Sequence, residues 1–133
     1  MKLKLTRLHE RWLILLIALH SLIIGIFLMV APAWTMGFGG WQQTVNVVFF
    51  IRQAGIFHVV LVAAYLIEYY RYRGVLVMIT AKSMALVFLL LAAVFDQVPW
   101  AVPVSGVGDG AMALLVWWVH RQVSAEPMAE SAG

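Results

Sequence analysis

Four ionisable residues sit inside otherwise apolar stretches: His20 in IALHSLII, His58 in AGIFHVVL, Lys82 in ITAKSMAL and Asp109 in SGVGDGAM. A charge held in hydrocarbon costs about 2.5–3.5 kcal/mol on insertion scales, so such residues mark a paired partner, a proton relay or a ligand site. Their depths can be counted from flanking polar or aromatic residues. His20 lies eight residues after Trp12, His58 ten before Glu68, Lys82 nine after Arg73 and Asp109 nine before Trp118. At the rise of a helix, all four fall roughly 12–15 Å deep. Each apolar stretch thus brings one ionisable group to the same slice, with Ser21 and Ser83 beside two of them.

Lys82 and Asp109 are expected to pair, because either charge alone would be too costly. The pair can act as a structural clamp on helix register, as a proton-relay or ligand-binding pocket, or as a contact with a partner subunit. His20 and His58 are expected to complete a hydrogen-bonded cluster around it. Two imidazoles at one depth are also the arrangement of a b-type haem, but no small residues or propionate-binding arginines surround them, and no cofactor or metal is expected. Arg52 lies five residues into its stretch. There it can snorkel outward, pair with Asp96, or form the mouth of a cavity with Gln53. His9 and His120 fall at the ends of stretches, where they read as solvated. Gly106 and Gly110 form a small-xxx-small pair, expected to admit a neighbouring helix to the short Asp109 side chain. A locally unwound helix lining a cavity is the other reading of these glycines. GVGDG is no phosphate loop, since no strand–turn–helix surrounds it.

The elements that carry these residues follow from hydropathy. Apolar runs cover 12–31, 47–68, 75–95 and 101–119, each close to the ~20 residues that cross a hydrocarbon core. They show no period-2 alternation, which favours helices over barrel strands. Pro32 with MGFGGW, RYRG at 71–74 and DQVPW at 96–100 separate them. The expected fold is all-α: one antiparallel bundle of four transmembrane helices over residues 1–124, with 125–133 a disordered cytoplasmic tail. Lys2, Lys4, Arg7, Arg11, Arg71, Arg73 and Arg121 all flank one side, placing both termini in the cytoplasm. Trp12, Tyr69, Tyr70, Tyr72, Trp117 and Trp118 would mark that interface, and Trp34, Trp41 and Trp100 the other. The connection 32–46, rich in Trp, Phe and Met, reads as an interfacial loop, a flap or a docking segment. The first run has the basic lead and APA ending of a signal peptide, yet its apolar core is too long, so it is expected to remain as a span.

Composition agrees. Of 133 residues, 64% are hydrophobic and 11% charged, too few polar residues to clothe a soluble domain of this size. There are no cysteines, which excludes disulfides and thiol chemistry. The net charge of +3 comes from residues that flank apolar runs, so nucleic acid is not an expected partner.

In span number and length the chain resembles the small four-helix bacterial inner-membrane proteins, DoxX-like in the broad sense. The segments carrying the resemblance are IRQAGIFHVVLVAAYL with Arg52 and Gly55, AKSMALVFLL with Lys82, and GVGDGAMALL with Asp109. The resemblance implies a multi-pass protein of the bacterial inner membrane, associated in some relatives with respiratory or quinone-linked enzymes. The small multidrug transporters resemble it less, since their first-helix carboxylate is replaced here by His20. Two functions are therefore expected. One is an accessory or binding subunit, joined to other membrane subunits or to a lipid-like or quinone-like ligand. The other is a small homo-oligomeric proton-coupled transporter using Asp109 and Lys82. An enzyme is disfavoured, because no nucleophile, metal cluster or large extramembrane pocket is apparent. The candidate binding or proton-relay residues are Asp109, Lys82, His58, His20, Ser83 and Arg52.

Overall fold

A computed structural model of the chain describes residues 5–42 and 48–130. The described residues form five α-helices and no strand: α1 (Arg7–Val30), α2 (Pro32–Phe38), α3 (Val48–Ile67), α4 (Leu76–Phe95) and α5 (Ala101–Glu130). A π-helical turn, Glu68–Tyr72, prolongs α3. Four segments are long and apolar enough to cross a membrane: Arg7–Val30, Val48–Tyr72, Leu76–Phe95 and Ala101–Ala125.

Local chemistry sets the helix ends. α1 starts at a capping box in which His9 replaces the usual Glu or Gln: the Thr6 backbone N–H donates to His9 Nδ1 at 3.3 Å, and the Thr6 hydroxyl meets the same nitrogen at 2.8 Å. Pro32 ends α1 but also opens α2, where its fixed φ suits the first helical position. The Thr35 hydroxyl lies 2.9 and 3.1 Å from the carbonyl oxygens of Ala31 and Phe27, tying α2 back onto α1. The 32–46 connection therefore begins as a helix rather than a loop; residues 43–47 lie outside the described residues. After the π turn, Arg73 adopts a left-handed backbone at φ 56° and closes the turn through its N–H to Tyr69. The Glu68 carboxylate then accepts from the N–H groups of Leu76 and Val77 at 2.9 and 2.8 Å. α4 has no capping side chain at Val75, so this carboxylate from the preceding element satisfies its open amides.

The segment expected as a tail, 125–133, begins as helix. α5 continues through residue 125 to Glu130, and 131–133 lie outside the described residues. Extending an existing helix needs no new nucleus, and Ala, Met and Glu are strong helix formers, although Pro127 within AEPMAE withdraws one backbone N–H from the ladder.

The helices associate as two antiparallel pairs. In the first, residue 10 of α1 meets residue 69 beyond α3, and residue 25 meets residue 55. At that second point the backbones nearly touch: a Cβ built on Gly55 would lie 2.6 Å from the Gly25 carbonyl oxygen. In the second pair Gly106 and Gly110 lie against Leu89 and Leu86 of α4, where added Cβ atoms would come within 3.0 and 2.7 Å of leucine carbons. The glycines thus do admit α4 beside Asp109, and α5 stays helical through them, which decides against an unwound segment. The pairs join through a cluster of Ile14 and Ile17 from α1, Tyr65 and Tyr69, Val75 and Met78, and Val116 of α5. In an apolar solvent such helices hold together by close packing and interhelical hydrogen bonds rather than by release of water.

Candidate functional site

Lys82 Nζ donates to Asp109 Oδ1 at 2.6 Å, joining α4 to α5. The lysine side chain is 8% exposed and the aspartate 17%, so the pair is largely enclosed with the carboxylate on its more open side. At this length the bond is charge-assisted, and each partner offsets the desolvation of the other.

The histidines do not complete the expected hydrogen-bonded cluster. His58 Nδ1 bonds the Ala54 carbonyl of its own helix at 2.9 Å. His20 is exposed and forms no side-chain hydrogen bond among the described residues. The cause is rotational. Consecutive helical residues point about 100° apart, and it is Ser21, at 3% exposure, that takes the inward position. Tyr65 of α3, which depth counting passed over, is buried in the core cluster. Ser83 is half-buried next to Lys82. Arg52 and Asp96 are both exposed, and neither takes part in an ion pair among the described residues.

A second cluster was not legible beforehand. Glu10 is fully buried, yet it is the meeting point of three elements. Its Oε1 lies 2.5 Å from His120 Nδ1 of α5. Its Oε2 accepts from Arg7 at 3.0 Å and, more weakly, from the Tyr69 hydroxyl at 3.4 Å. His120 is thus no solvated terminal residue, and Tyr69, at 2% exposure, belongs to the core rather than to an interfacial belt. The available signal was a carboxylate one turn inside a basic helix start, but that pattern also fits an exposed i, i+3 pair with Arg7. Only the fold brings a residue 110 positions away to it.

Neither cluster gathers three His, Asp or Glu side chains that would hold a metal, among the described residues. A surface depression on α5, lined by Trp117, Trp118, Arg121, Gln122 and Ala125, shares no residue with either cluster. There the Arg121 guanidinium lies 5.0 Å from the Trp117 ring centre, a cation–π contact. Comparison with family models, with curated proteins and with solved structures finds no match for this chain.

Proposed function

We propose that the chain is a small multi-pass protein of the bacterial inner membrane, with both termini cytoplasmic. Its Lys82–Asp109 layer receives the polar head of a lipid-like molecule, a quinone being the chemistry that fits. In this role it serves as an accessory or binding subunit within a larger membrane complex. The carrying observation is the ion pair itself, enclosed between α4 and α5 but with Asp109 still partly open. A carbonyl or hydroxyl head group finds there both a donor in Lys82 and an acceptor in Asp109. The bareness of the spans adds support: at most 28% of any spanning window is buried within the chain, leaving wide apolar faces for lipid and partner helices. The resemblance to small four-helix inner-membrane proteins points the same way. The orientation rests on the basic residues at one side, with Arg11 Nε bonded to the Tyr70 hydroxyl at 3.2 Å as an interfacial pairing.

Purification from its native membrane is the decisive experiment. Co-purification with other membrane chains at fixed ratio, or retention of a quinone lost in Asp109→Asn, is the expected outcome. A self-associating oligomer whose ligand binding follows pH would favour the alternative, a proton-coupled transporter using Asp109 and Lys82. The observation on that side is the enclosed Lys82–Asp109 pair, two titratable groups 2.6 Å apart within spans that also carry His20 and His58. No cofactor belongs to either reading. A Soret band abolished by His58→Ala would replace both with a haem protein. The orientation is checked with single cysteines: Gln97→Cys should react with an impermeant thiol reagent from the periplasmic side, and Arg73→Cys should not.

A further inference from the structure

The later turns of α5 carry a face that neither ionisable cluster uses. From Ala101 to Arg121 the helix rises about 30 Å, the thickness of a hydrocarbon core. Arg121 therefore stands where the head groups of a leaflet begin. Glu10 meets both Tyr69 and His120, so this is also the end that carries Arg7, Arg11, Arg71 and Arg73. The depression lined by Trp117, Trp118, Arg121, Gln122 and Ala125 measures about 320 Å³. Spacings of three and four residues put these side chains on one face of the helix. Deeper in the span the same face continues through Leu114, Ala111 and Val107, all exposed. One stripe thus runs from bare aliphatic groups through two indoles to a guanidinium and an amide.

Arg121 lies over the Trp117 ring, its guanidinium carbon 5.0 Å from the centre. Stacking uses the face of the guanidinium and leaves the N–H edges free to donate. Other guanidinium groups at this end are spent: Arg11 donates its Nε–H to the Tyr70 hydroxyl, and Arg7 holds Glu10. Arg121 takes part in no hydrogen bond or ion pair among the described residues. The acidic side chains described here are engaged as well, Glu10 by Arg7 and His120 and Glu68 by the amides of α4, so neither balances it.

We propose that this face binds an anionic phospholipid of the leaflet at that end. The lipid phosphate accepts two N–H bonds from the Arg121 fork. The Trp118 indole and the Gln122 amide donate to glycerol and ester oxygens, and the small Ala125 leaves room for the head group. One acyl chain follows Leu114, Ala111 and Val107, the last about 16 Å deeper than Trp118. Net negative charge is preferred, because the cations gathered at this end attract it and repel a choline ammonium. This site is separate from the Lys82–Asp109 layer and stands whichever role that layer has.

The test uses the full chain in detergent, titrated with phosphatidylglycerol or phosphatidylcholine, with bound lipid counted by native mass spectrometry. Phosphatidylglycerol should bind at least about tenfold more tightly, as a charge-assisted bidentate contact requires. Arg121→Gln should abolish that preference. Arg121→Lys, which keeps the charge and loses the fork, should restore only part of it. Arg71→Gln makes the same charge change at another arginine stacked on a ring, and should leave the preference intact. Both arginines are exposed, so circular dichroism should show the variants fully helical. Equal losses in Arg71→Gln and Arg121→Gln overturn the site, since diffuse charge then accounts for the binding. Displacement of the lipid by excess inorganic phosphate overturns it too, because the site then takes a free ion.

Discussion

The two ionisable clusters hold the molecule together in different ways. Lys82 and Asp109 are a bare pair, two enclosed charges each with one partner, spanning the helices of a single hairpin. Glu10 lies at the end of the bundle and draws partners from three elements, two of which keep contact with solvent: Arg7 at 50% and His120 at 28% side-chain exposure. A lone pair has no substitute when one member goes. A shared carboxylate with half-hydrated partners leaves groups that water can still satisfy. Burial of the central residue alone, complete at Glu10 and partial at Asp109, would rank the two clusters the other way round.

Substitutions can break that ranking. The largest effect is expected at the bare pair, where Asp109→Asn or Lys82→Met should each cost about 3–5 kcal/mol in reversible unfolding in detergent. The double variant should recover much of the loss, and strictly additive costs would mean that the groups do not interact. Next comes Glu10→Ala, expected to cost about 1–3 kcal/mol, because only the Tyr69 hydroxyl stays deeply buried without its acceptor. A cost equal to that of Asp109→Asn would show that redundancy offers no relief. Glu68→Ala should cost about 1 kcal/mol by uncapping α4. It should also add to Asp109→Asn without coupling, since the cap touches neither cluster. The smallest effect is expected at Gly108, beside Asp109 but with nothing within 4 Å of an added Cβ. Gly108→Ala should stabilise α5 by up to about 1 kcal/mol through helix propensity. A clear loss instead would mean that this face is occupied by a partner or ligand in the membrane.

Much of the helical layout was written in hydropathy, because a run of about twenty apolar residues has few other folds open to it. The Lys82–Asp109 pair was legible for the same reason: a charge inside such a run stands out, and counting residues gives its depth. Rotation about the helix axis was not. Counting placed His20 and Ser21 together, and only packing decided that Ser21 turns inward. The Glu10 cluster escaped because charges at helix ends are commonplace, so nothing local separates a buried one from a solvated one. Pro32 was read as a breaker and is equally a helix opener, a choice settled by the Thr35 hydroxyl three residues later.

The contact of Gly25 with Gly55 has a consequence of a mechanical kind. Two backbones that meet without side chains between them form a notch, not a cushion. The helices can swivel there, but they cannot slide lengthwise without driving Met29, His58 or Val59, which flank the contact on the same faces, into the space that only a hydrogen atom now fills. The alignment of Glu10 with Tyr69, about fifteen residues away along each helix, is inherited from that notch. A methyl group at either glycine would act as a spacer at one end and misalign a hydrogen bond at the other, with no atom of the distant cluster altered.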